Sequence, residues 1–172
     1  EGIILIKKDG FLYKILEKIE FYYYYYSAGI ITVTSSFKSN IINRFKIPRE
    51  KIHVVYNGSN NELFQKHHKS KNLINELGLK NKFIVGYAGT VGVSHALDFI
   101  LDCSKDINEF EKKIHFLFIG SGSEFEKIKS RIDKENLLNV SLFRGVNKNN
   151  IVEYLSIFDF GLVNLKKYEG YL

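Results

Sequence analysis

Two stretches of this sequence bring glycine to the end of an apolar run: Phe83-Ile-Val-Gly-Tyr-Ala-Gly-Thr-Val-Gly92 and His115-Phe-Leu-Phe-Ile-Gly-Ser-Gly-Ser-Glu124. Each reads as a short strand that stops at a glycine turn and gives way to a helical pattern. Such a turn sets backbone N–H groups and the positive end of a helix at the carboxyl edge of a parallel sheet, where phosphates bind. Two of them in one small unit point to a phosphate-bearing ligand. A dinucleotide fold needs G-x-G-x-x-G after its first strand. Here the turns read Gly86-x-x-Gly89-x-x-Gly92 and Gly120-x-Gly122, with Phe125 in the third place. No glycine run precedes a Lys-Ser or Lys-Thr pair, and neither G-x-S-x-G nor H-E-x-x-H occurs. Hydride transfer, ATP hydrolysis, serine hydrolysis and zincin chemistry therefore lack support.

The elements that must position these turns follow from the apolar spacing. Residues 59–70 are polar and aperiodic and read as a linker. Beyond them a strand over 83–88 leads to a helix with Leu97, Ile100, Leu101, Ser104 and Ile107 on one face, capped by Ser94. A strand over 114–119 leads through Ser123-Glu-Phe-Glu126, a capping box, to a helix that buries Phe125, Ile128 and Ile132. A strand over 140–144 leads to a helix with Ile151, Tyr154, Leu155 and Phe158, and a strand over 160–165 closes the series. This alternation predicts an α/β fold with parallel strands in a doubly wound sheet.

Before the linker, Leu12, Ile15, Leu16, Ile19, Tyr22, Tyr23 and Tyr26 fall at helical spacing. The tyrosine run 22–26 suits either a face packed on a sheet or neighbouring domain, or a half-wet rim at a membrane interface. A short β-branched strand over 30–34 follows. Next comes a helix capped by Ser35 or Ser36, with Phe37, Ile41, Ile42 and Phe45 on its apolar face and Pro48 at its end. Lys51 to Tyr56 reads as another strand, stopped by Asn57-Gly58.

Composition narrows the classes. At 172 residues, with 45% hydrophobic and 26% charged residues, the chain can bury a globular core. The net charge of +6 would suit nucleic acid, anionic lipid or a polyphosphorylated small molecule. The basic residues are scattered in pairs such as Lys112-Lys113 and Lys166-Lys167, and no aromatic stacking strip or RNA motif accompanies them, so nucleic acid is not expected. Cys103, the single cysteine, excludes an internal disulfide and reads as a small buried residue of a helix. His67-His68 are adjacent and share no helix face, so no metal site is expected there. No apolar run reaches the ~18 residues of a membrane span, and the N-terminus has the wrong order for a signal peptide. A cytoplasmic protein is the expectation. The sequence contains no methionine, which reads as an excerpt of a longer chain.

Taken in order, these segments resemble family 4 retaining glycosyltransferases with the GT-B fold, in the branch active on surface polysaccharides. Lys51-Ile-His-Val-Val-Tyr-Asn-Gly-Ser-Asn-Asn-Glu-Leu-Phe64 is similar to the strand and crossover leading into the family's nucleotide-sugar domain, with Tyr56 for proline and Ser59-Asn60 for Val-Asp. Gly86 to Gly92 with Ala96-Leu-Asp98 looks like the first donor loop, and Phe118 to Glu124 like the second. Val140 to Gly145 and Ile157-Phe-Asp-Phe-Gly161 look like the elements that follow. The resemblance implies two Rossmann-like domains: the tail end of an acceptor-side domain with the crossover at 1–64, and a truncated donor domain at 65–172. It also implies transfer of a sugar from a nucleotide-diphosphate sugar to a glycan or lipid-linked acceptor, with retention and without a metal or other cofactor. A lipid-linked acceptor would draw the enzyme to the inner face of the cell membrane, as in lipopolysaccharide or capsule synthesis.

The implied donor-binding residues are Gly89, Thr90, Val91, Gly92, Gly120, Gly122, Arg144, Gly145 and Val146. Thr90 and His95 stand where many members carry arginine and lysine toward the diphosphate. His95 would be a proton donor to phosphate or an exposed first-turn residue. Arg144 would supply the missing charge or pair with a neighbouring carboxylate. Glu169-Gly170-Tyr171 resembles the opening of the family's E-x7-E motif, so Glu169 would face the donor sugar or be an ordinary loop residue. The second glutamate is absent, and the chain alone is expected to be inactive. A non-catalytic phosphate-ligand module and another GT-B enzyme, such as a nucleotide-sugar epimerase, are the competing readings.

Overall fold

The computed structural model describes residues 10–65 and 68–167, and the chain divides into two compact units on either side of Asn60. In the first, helix α1 (Phe11–Tyr26), strand β1 (Ile30–Thr32), helix α2 (Ser35–Phe45) and strand β2 (Ile52–Val54) follow one another, and β1 pairs β2 in parallel, Ile30 against Ile52. Its core is Ile30, Ile41, Phe45, Ile47 and Ile52, with Phe21, Tyr24 and Ile42 packed against it. The cap of α2 is Thr34, whose hydroxyl accepts the Phe37 N–H at 3.2 Å, in place of the expected serines. Phe37 itself stays largely exposed.

Helix α1 forms where expected but presents the other face. Phe21 and Tyr24 reach the core, and Arg44 binds Glu17 and Glu20 at 3.0 and 3.5 Å, holding the Glu17–Glu20–Tyr24 side toward α2. The stripe from Leu12 to Tyr26 is thereby left exposed, with Tyr23 at 74% and Tyr26 at 76%. Periodicity identifies a stripe; the ion pairs and the two aromatic rings choose which stripe goes inward.

The second unit holds helix α3 (Lys71–Glu76), strand β3 (Phe83–Ala88), helix α4 (Leu97–Phe110), strand β4 (Ile114–Ile119), helix α5 (Phe125–Lys134), strand β5 (Val140–Phe143), helix α6 (Lys148–Ser156) and strand β6 (Phe160–Gly161). All four strands are parallel in the order β5-β4-β3-β6. The chain thus moves outward from β3 and returns to its far side, a doubly wound sheet whose order reverses at β3. Strand residues alternate between two cores. Val85, Tyr87, Phe116, Phe118 and Val140 meet Leu97, Leu101, Phe125 and Ile128 of α4 and α5. Ile84, Leu117 and Ile119 meet Leu73 and Leu79 of the α3 region and Ile151, Tyr154 and Phe158 of the α6 region. Each fully buried Ile, Leu or Phe contributes roughly 1.5–3 kcal/mol.

Several expected helix starts are replaced by loop packing. α4 begins at Leu97, after a tight turn at 93–95 and a left-handed Ala96 (φ 47°), with no side-chain cap. The Ser123–Glu126 box does not form. Glu124 flanks α5 without a side-chain cap, and its N–H goes to the Val91 carbonyl at 3.0 Å. β6 is two residues long because the chain then crosses beside the first bend, where Lys166 N–H reaches Ser94 O at 2.7 Å and Asn164 donates to His95 O. Asp159 anchors the β6 entry: its carboxylate accepts the Ile84 N–H at 2.9 Å and pairs with Lys69. Burial pushes that carboxyl up, but the Ile84 and Lys69 donors outweigh it and hold it below its usual range. Cys103 is half-buried. No helix among the described residues is long and apolar enough to cross a membrane.

Candidate functional site

The two glycine bends lie side by side at the carboxyl end of β3 and β4. The β3–β4 ladder continues past both strands, with Gly89 N–H to Ile119 O at 3.0 Å and Val91 N–H to Ser121 O at 2.9 Å. The glycines of the second bend admit the first. A Cβ on Gly120 would lie 1.8 Å from Gly89 O, and one on Gly122 would lie 2.3 Å from Val91 O. Gly122 also sits at φ 158°. Gly86 has another use, since a Cβ there would lie 2.2 Å from the Phe158 ring. The glycines of the two motifs thus do different things.

Above the bends is a cavity of about 360 Å³ lined by residues 88–90, 119–121, Gly145, Val146 and Ile151. Of the nine expected donor-binding residues, Gly89, Thr90, Gly120, Gly145 and Val146 meet there. Val91 is fully buried beneath the turn, and Gly122 packs against it. Gly92 lines a different cavity, of about 480 Å³, whose walls carry Asp98, Asp102 and Glu124 together with Lys127, Lys166 and Lys167. Arg144 turns from the smaller cavity to pair with Glu126, its guanidinium 4.3 Å above the Phe125 ring. His95 tucks its ring edge-on to Tyr87, centroids 6.2 Å apart, and its Nδ1 is buried without a hydrogen-bond partner among the described residues. His95 does not line the smaller cavity. Glu169 lies outside the described residues.

The amides of the first bend are largely spent. Gly89 and Val91 donate to the second bend, and Gly92 donates to Thr90 O at 3.1 Å. Among the described residues, the N–H groups of Thr90 and Ser121 have no acceptor, and both residues line the cavity. Ser121 was missed by the sequence reading, which looked at glycines; its position between Gly120 and Gly122 is the signal that would have found it. Among the described residues, no cationic side chain lines the cavity. Positive potential comes from such N–H groups and from the N-terminus of α6, which follows β5 after four intervening residues at this same edge.

Solved structures that share this fold include glycosyltransferases. The fold matches a variant of Staphylococcus aureus TarM in complex with UDP, fondaparinux and α-GlcNAc-glycerol, at 20% identity and TM-score 0.64 over 84% of this chain and 27% of that one. It matches Anabaena HepE in complex with UDP and glucose at 15% identity and TM-score 0.69, over 86% of this chain and 41% of that one. It matches WaaG, a glycosyltransferase involved in lipopolysaccharide biosynthesis, at 14% identity and TM-score 0.63, over 88% of this chain and 44% of that one. The class defined is the GT-B, Rossmann-like glycosyltransferase fold. This chain spans less than half the length of each of these structures. No protein-family model and no curated protein matches it.

Proposed function

We propose that the cavity beyond β3 and β4 holds the diphosphate and nucleoside of a nucleotide-sugar donor, and that this chain is the donor-binding part of a retaining glycosyltransferase. The observation that carries the reading is the convergence of Gly89, Thr90, Gly120, Gly145 and Val146 on one cavity whose lining includes amides, those of Thr90 and Ser121 among them, with no acceptor among the described residues. Support comes from the fold it shares with HepE and TarM, both solved with UDP. Glycosyl transfer leaves charge on the departing diphosphate, and fixed N–H donors stabilise it without reorganisation and without a metal. The acceptor is a glycan or lipid-linked glycan of the cell surface, met at the cytoplasmic face of the membrane.

Thermal unfolding with UDP-, GDP- and ADP-sugars beside NAD tests this. A rise in Tm with at least one sugar nucleotide and none with NAD is expected; the reverse pattern sinks the reading. The lack of a cation in the cavity wall among the described residues favours a second reading, a binding module without chemistry. Sugar-nucleotide binding without turnover, in a longer chain that carries both units, would select it.

A further inference from the structure

Beneath the first bend lies a polar group that the proposed chemistry does not use. The Tyr87 ring is only 5% exposed, wedged edge-on between Phe118, at 6.3 Å, and His95. Its hydroxyl donates to the Thr90 carbonyl at 2.7 Å. That carbonyl also accepts the Gly92 N–H, while the next nitrogen, Val91 N–H, is held by Ser121 O. The peptide between Thr90 and Val91 is therefore pinned at both ends.

We propose that Tyr87 is a positioning residue for the diphosphate: its hydroxyl holds the Thr90 carbonyl and so fixes the bend at which the Thr90 N–H, on the preceding peptide, is left for the cavity. This rests on the donor-site reading above. Without the hydroxyl the Thr90–Val91 peptide keeps the Gly92 and Ser121 hydrogen bonds but loses its strongest brace, and the adjoining Thr90 N–H is no longer fixed where an anion must sit. Gly89 belongs to the same device. A Cβ there would lie 3.1 Å from the Tyr87 hydroxyl oxygen, so any side chain at this position pushes the phenol from the carbonyl it serves. Burial raises the Tyr87 phenol above its ordinary value, which keeps the donor protonated throughout the neutral range.

The test is calorimetric titration of the 172-residue chain with UDP, GDP and ADP, each beside its monophosphate and its nucleoside. Tyr87→Phe keeps the ring and removes one hydrogen bond. It is expected to weaken the diphosphate about tenfold, in line with a lost hydrogen bond near a charge, and to leave the monophosphate and nucleoside within twofold. Should Tyr87→Phe not fold, hydrogen exchange of the Thr90 N–H in the wild type is the second measurement: UDP is expected to slow it, and an unchanged rate overturns the role of the bend. An unchanged diphosphate affinity in Tyr87→Phe overturns the role of Tyr87. Equal weakening of all three ligands overturns it too, since a merely structural role acts on the whole cavity. Wild-type protein that binds none of the nucleotides overturns the donor-site reading itself, and this proposal with it.

Discussion

Gly120 and Gly89 touch through the backbone: a Cβ on Gly120 would stand 1.8 Å from the Gly89 carbonyl oxygen. The second bend therefore carries glycine to let the first bend in, and their contact forms the floor of the cavity. Gly120→Ala should disrupt both. The expected result is a clear fall in Tm and at least a tenfold loss of sugar-nucleotide affinity. Gly145→Ala is the matched control, since its Cβ meets nothing closer than Ser121 Oγ at 3.9 Å and the fold should tolerate it. Equal Tm for Gly120→Ala and wild type would refute the contact.

Gly86 and Phe158 form a second close pair, on the α6 side of the sheet. Gly86→Ala drives a methyl into the Phe158 ring at 2.2 Å, and overpacking of this kind costs about 1–3 kcal/mol. Phe158→Leu in the same chain should recover part of that loss. Urea unfolding of the two single variants and the double variant gives the coupling directly, and strict additivity would argue against the contact.

His115 sets a pH limit on stability. It is buried on β4, its Nε2 lies 2.9 Å from Ser141 Oγ, and burial followed by the nearby Lys82 charge pushes its pKa down from 6.5 to about 4. The folded chain keeps this imidazole neutral while the unfolded chain protonates it below 6.5. Stability is therefore full above pH 6.5 and falls as the pH drops toward 4, by on the order of 2–3 kcal/mol. His115→Leu removes the titrating group, so its unfolding free energy should vary less between pH 7 and pH 4. An identical slope in both proteins would count against it.

Arg144 is expected to be dispensable for the donor. It pairs with Glu126 and lies over the Phe125 ring, outside the cavity. Arg144→Gln should bind sugar nucleotides within twofold of wild type. A tenfold loss would show that the arginine swings into the site when ligand arrives.

Much of the donor unit was legible in the sequence because local rules suffice there. The strand at 83–88, the strand at 114–119 and the buried face of α4 at Leu97, Ile100, Leu101 and Ser104 all stand as expected. Parallel pairing follows from the alternation of strand and helix. The short β6 and the missing caps were not legible, because the chain satisfies those ends through distant backbone groups, Val91 O for Glu124 and Ser94 O for Lys166. Which way the α1 stripe faces was left open by the sequence for a related reason. Two competing apolar faces share one helix, and Arg44 with its two glutamates lies elsewhere in the sequence.

By itself the sequence determined the α/β class, the strand order along the chain and the position of two glycine bends, since these depend on composition, periodicity and the geometry of single residues. Tertiary structure decided what each glycine is for. Gly86 seats a phenylalanine, Gly120 and Gly122 seat the neighbouring bend, and Gly89 clears the Tyr87 hydroxyl. It also decided which amides remain to meet a ligand, because a backbone N–H is spent or spared only when a carbonyl from another part of the chain arrives beside it.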